Sequence, residues 1–134
     1  MGVWSNLKEE NMKKQLSFSH LERELIREFR NNINNSEGPI DVSNHFSFTA
    51  CKLLSSVFPD EDIKVNSDSV IFVPGQGNHF QVDSVLMDHH KFSEVWQNSD
   101  LPDLLSKFAE ASYHRYLHHN KHLEKTNKKI RNGS

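Results

Sequence analysis

A single cysteine, Cys51, in 134 residues excludes any disulfide within the chain. A lone thiol inside a helical pattern fits a reducing compartment. No apolar run approaches the ~20 residues of a membrane-spanning helix, and no charged, apolar and small-residue leader pattern is visible. The expected setting is therefore cytoplasmic. Glycine and proline are scarce, at five and four residues, so each one marks a boundary. Nucleophile and cofactor signatures are missing too. There is no Gly-x-Ser-x-Gly elbow, no His-Glu-x-x-His, and no Gly-Lys-Ser/Thr after a glycine-rich loop. Neither a catalytic set nor a cofactor is expected.

What is present is organised around residues 62–87. From His79 onward the apolar residues alternate, with Phe80, Val82 and Leu86 on one face and His79, Gln81 and Asp83 on the other, the period of a half-buried strand. Val70-Ile71-Phe72-Val73 is β-branched and aromatic, which predicts a strand apolar on both sides. Pro74-Gly75-Gln76-Gly77-Asn78 supplies a hairpin loop in which glycine takes positive φ. Ile63–Val65, pairing through Asn66-Ser67-Asp68, completes a three-stranded antiparallel meander. The segment Phe72-Val73-Pro74-Gly75-Gln76-Gly77 resembles the FPGQG stretch of acyl-carrier-protein malonyltransferases. That resemblance implies an α/β domain with a nucleophile elbow, which this chain lacks, so the segment is read as a turn.

Helical patterns flank the sheet. Ser19-His20-Leu21-Glu22 has the form of a capping box, and Leu21, Leu25, Ile26, Phe29 and Ile33 recur at helical spacing behind it. Ser36-Glu37-Gly38-Pro39 breaks this helix. Asp41 or Ser43 is the expected cap of a second one, with Phe46, Ala50, Leu53, Leu54 and Val57 on its inner stripe and Pro59 as its stop. Cys51 sits at the margin of that stripe and reads as a small buried hydrophobe. Asp88 is the expected cap of a short helix through Phe92, Val95 and Trp96. Ser99 or Asp100 should start a long last helix carrying Leu101, Leu104, Leu105, Phe108, Ser112 and Tyr116. The predicted fold is α+β: two N-terminal helices, the meander, then C-terminal helices packed on one sheet face. Residues 1–120 form one domain, with 1–17 as a loosely ordered arm, and 121–134 form a frayed tail.

Charge is unevenly spread. The net value is −2, but five of the sixteen Lys/Arg and only one of the eighteen Asp/Glu fall in Lys121–Arg131, leaving +4 there and −6 on residues 1–120. An acidic body ends in a basic tail.

Three function classes follow. The leading expectation is a small protein-interaction domain of the accessory, regulatory, inhibitor or immunity type, binding another protein or a second copy of itself through Trp4, His79, Gln81, Asp83 and Tyr113. The second is metal binding, because Glu110, His114, His118 and His122 lie four apart on one helix and imidazoles at i and i+4 can share a transition-metal ion. The third is weak nucleic-acid binding by Lys125, Lys128, Lys129 and Arg131, a small electrostatic footprint on an otherwise acidic chain.

Overall fold

The computed structural model describes residues 16–133, with side chains as far as Lys121. The order is α1 (Ser19–Asn34), α2 (Pro39–Val57), β1 (Val70–Phe72), β2 (Phe80–Val82), α3 (Ser84–Asp88), α4 (His90–Gln97) and α5 (Leu101–Gly133). Helix and strand are mixed, so the fold is broadly α+β, with helix dominating.

The stripes read from helical spacing form the core. Phe29 and Ile33 of α1, Phe46, Ala50, Leu53 and Leu54 of α2, and Leu101, Leu104, Leu105 and Phe108 of α5 are all buried. Phe29 meets Phe108 edge-to-face, with ring centroids 5.0 Å apart and planes at 87°. Burial of one such ring contributes roughly 2–3 kcal/mol, and the edge-on geometry adds about 1 kcal/mol. Ser112 is also fully buried; its hydroxyl donates to the Phe108 carbonyl at 2.9 Å, so it brings no unsatisfied polar atom inside.

Helix starts differ from the sequence reading. At α1 the capping box does not form: Ser19 already lies within the helix, Phe18 is the N-cap, and no side chain of the motif caps it. Glu22 turns instead toward Lys107 of α5, at 3.5 Å. The acceptors come from Asp100, whose Oδ1 takes the Phe18 N–H at 2.8 Å and whose Oδ2 takes the Ser17 hydroxyl at 2.7 Å. The Asp100 N–H in turn donates to the Leu16 carbonyl at 3.2 Å. The start of α1 is thus tied to the start of α5. From there the two helices run parallel, through Phe29–Phe108 to the bond from Arg115 to the Asn34 carbonyl at 2.9 Å.

The α2 helix begins at Pro39 rather than after Asp41 or Ser43, with Gly38 as N-cap. Proline is cheap there because a first-turn N–H has no helical acceptor. Asp41 reaches back to accept from the Glu37 N–H at 2.9 Å. The short helices are capped by Asp83, whose Oδ1 accepts from Val85 N–H at 3.2 Å, and by His89, whose Nδ1 accepts from Lys91 N–H at 3.2 Å. Asp88, the expected cap, is the last residue of α3.

Among the described residues the sheet has two strands, not three. Val70 pairs with Val82, Ile71 with Gln81 and Phe72 with Phe80. In place of the predicted third strand, Ile63 is buried and Val65 packs partly against the core without pairing, and the turn behind them satisfies itself: Ser69 Oγ accepts the Asn66 N–H and Asn66 Oδ1 accepts the Asp68 N–H, each at 2.8 Å. Nor is β1 apolar on both sides in burial. Val70 and Phe72 face the core, whereas Ile71 stands 42% exposed. Phe46 of α2 lies under the inner face, 5.8 Å from Phe72 and 6.3 Å from Phe80, and Trp96 of α4 meets Phe80 at 6.4 Å.

Candidate functional site

Large apolar side chains stand exposed at several places, among them Ile40, Val85, Phe48 and Ile71, and of these Phe48 and Ile71 each line a cleft. Because strand residues alternate and Val70 and Phe72 point inward, Ile71 must point out, opposite Gln81. Beside it lies a cleft of about 410 Å³ lined by Asp68, Ile71, Gln81 and Asp83. Asp68 also closes the near end of a second cleft, about 510 Å³, that runs to Asn32 of α1 past His45 and Phe48 of α2. The two clefts meet at Asp68, the residue their linings share, and together they are called the groove.

Two features set the chemistry of this groove. Phe48 is 53% exposed, two residues after the buried Phe46 and therefore off the inner stripe of α2. Its ring carries Lys52, whose ammonium lies 4.6 Å from the centroid and 3.6 Å from Glu28. The lining itself holds two carboxylates, Asp68 and Asp83, and neither Lys nor Arg. Asp83 is already committed to capping α3 through one oxygen. The Asp68 carboxylate takes part in no hydrogen bond or ion pair among the described residues, so its charge is available to a ligand. An exposed aromatic and an exposed aliphatic flanking free negative charge suit a cationic chain segment with apolar side chains.

The residues predicted from sequence divide between two places. Gln81 and Asp83 line the groove. His79 and Tyr113 do not; they stack on each other, with centroids 4.0 Å apart and planes at 10°. His79 precedes β2 at φ 70° instead of lying on the wet face of the strand, and its Nδ1 accepts the Gly75 N–H at 3.0 Å. A left-handed non-glycine residue carries strain of about 1 kcal/mol, offset here by the stack and that bond. With Gly77, Glu110 and His114, the pair lines a separate cleft of about 270 Å³ against α5. Trp4 lies outside the described residues.

The histidine column keeps its spacing on α5, where Glu110, His114 and His118 are exposed. The side chain of His122 lies outside the described residues. Among the described residues no group of three or more His, Cys, Asp and Glu is placed to hold a metal ion. His119, one residue off that column, turns inward, and its Nε2 lies 2.8 Å from Ser36 Oγ just past the end of α1. Lys125, Lys128, Lys129 and Arg131 fall within α5, and their side chains are outside the described set. Among the described residues no helix is long and apolar enough to cross a membrane.

Phe48, Ile71 and Asp68 were not singled out from the sequence, although two signals marked the first two. Phe48 departs from the stripe of Phe46, Ala50 and Leu53, and strict alternation through residues 70–72 puts Ile71 opposite its neighbours. The chain matches no family model, no curated protein and no solved structure. The chemistry of this face therefore rests on its own residues.

Proposed function

We propose that this protein is an interaction domain that binds another polypeptide in the groove between α2 and the outer face of the β1–β2 hairpin. The observation that carries the reading is the exposed pair Phe48 and Ile71 on the two clefts that share Asp68, whose carboxylate has no partner among the described residues. The partner is a basic segment: its cations meet Asp68 and Asp83, and its apolar side chains cover Phe48 and Ile71. Binding, not catalysis, is the activity, and the role is accessory or regulatory. The reducing cytoplasm is the setting, with Cys51 kept as a half-buried thiol on α2.

Site-directed photo-crosslinking in cells tests this. A photoreactive phenylalanine analogue at position 48 or 71 is expected to form an adduct with a polypeptide, whereas the same group at Glu61, exposed outside the groove, forms none. Asp68→Lys should suppress the adduct from position 48. Equal labelling from all three positions, or from none, overturns the proposal.

A further inference from the structure

We infer that the segment seated in this groove is the basic end of α5 from a second copy of the chain. The inference rests on the docking reading above and names its occupant.

Charge points to it first. Lys121–Arg131 holds five cations and one Glu, a formal +4, while the rest of the chain carries −6. The groove's lining holds two carboxylates and no Lys or Arg, and Lys52, which lies over the Phe48 ring beside it, is paired with Glu28. Apolar content matches as well. Leu123 and Ile130 fall seven residues apart in this stretch, two helical turns, among Lys121, Lys125, Lys128, Lys129 and Arg131. The groove offers two exposed apolar side chains, Phe48 and Ile71. A cationic helix with aliphatic positions at that interval is a recurrent ligand for an acidic, partly apolar groove.

Geometry then excludes the chain's own groove. α1 and α5 run parallel and are pinned near the end of α1 by Arg115 on the Asn34 carbonyl and His119 on Ser36. Because α5 continues as one helix to Gly133, its last fourteen residues advance along the same axis by ~21 Å beyond that pin. The groove lies the other way, beside Asn32 and residues 44–48 of α2, which runs back from Pro39 alongside α1. A continuous helix cannot reverse to reach it. Another molecule's groove can receive it, and a two-fold pair lets both tails engage at once.

Sedimentation velocity on the full chain tests the inference. In 50 mM NaCl the mass should rise with concentration above the 15.6 kDa of one chain, and in 500 mM NaCl it should fall back toward it. The tail variant K125Q/K128Q/K129Q/R131Q, which removes four cations, and the groove variant D68K/Q81K, which replaces one carboxylate and one amide with cations, should each weaken association by about tenfold or more. The groove variant spares Asp83, which caps α3, so folding is expected to be unchanged by circular dichroism. In the direct measurement, a fluorescein-labelled peptide of residues 117–133 binds the tail variant and fails to bind when D68K/Q81K is added to it. A monomer at 50 mM NaCl whose position 48 still crosslinks to a different protein overturns this inference and leaves the docking reading standing. Loss of every adduct overturns both. Self-association that needs the tail but ignores D68K/Q81K also overturns the inference, as does a tail whose neutralisation abolishes oligonucleotide binding without changing the mass.

Discussion

Asp100 offers the sharpest test of how this fold is held. Two anchors are possible for the start of α1: the Ser19–Glu22 motif that the sequence presents, or the Asp100 carboxylate that the structure presents. In the structure the carboxylate accepts from Phe18 N–H at 2.8 Å and from Ser17 Oγ at 2.7 Å, while Ser19 caps nothing. Loss of an N-terminal cap costs about 0.5–2 kcal/mol, and hydrogen bonds to a charged acceptor are worth roughly 1.5–3 kcal/mol. Asp100 is only half-buried, so the lower part of the range applies, and Asp100→Ala should cost about 2 kcal/mol. Asp100→Asn keeps one carbonyl oxygen for Phe18 and should cost about 1 kcal/mol. Ser19→Ala should stay within about 0.5 kcal/mol. Urea unfolding followed by circular dichroism reads these values: at an m-value of about 1.5 kcal/mol/M, Asp100→Ala moves the midpoint by about 1.3 M. If Ser19→Ala proves as costly as Asp100→Ala, the local motif holds the helix and the cross-chain tie is incidental.

Two further outcomes follow from local geometry. Gly75 sits at φ 83° in the hairpin loop, and a Cβ there would meet nothing within 4 Å. Gly75→Ala should therefore cost roughly 1–2 kcal/mol from backbone conformation alone, and an unchanged thermal midpoint would show that the loop does not hold that conformation. Lys91 pairs with Asp60, and its ammonium is held above the ordinary value of 10.5, first by the hydrogen bond to Asp60 and then by its charge, with a smaller contribution from Asp62. Because the folded value is raised, the pair's contribution is complete below the unfolded value and fades as pH climbs through the folded one. As pH rises above 10.5, the wild-type midpoint should fall more steeply than that of Lys91→Met, and parallel curves would refute the pairing.

What could be read from the chain depended on whether a physical constraint acts locally or across distance. The stripes of α1, α2 and α5 were legible because a helix that buries one face must repeat apolar residues at about 3.6; Phe29, Phe46, Leu53 and Phe108 are where that rule puts them. Asp100 was not legible as a cap, since its partners lie 82 and 83 residues away and no local pattern encodes that distance. Ile63–Val65 misled for a different reason. The alternating triplet Ile63-Lys64-Val65 satisfies the burial rule equally as a strand or as an irregular segment whose two apolar side chains reach the core, and the Asn66–Ser69 turn closes on itself. The groove falls between these cases. Alternation put Gln81 and Asp83 on the outer face, where both line a cleft although Asp83 lies just past β2 as the cap of α3; the same alternation applied to Val70-Ile71-Phe72 would have put Ile71 on the open face, and the α2 stripe would have put Phe48 there. Both exposed residues are thus exceptions that the core-forming rules mark out by contradiction. In a chain without catalytic or cofactor signatures, an apolar residue that the burial pattern excludes from the core is the most direct pointer to a binding surface. Asp68, invisible to either period, joins them only because the turn that displaced the third strand leaves its carboxylate beside both clefts.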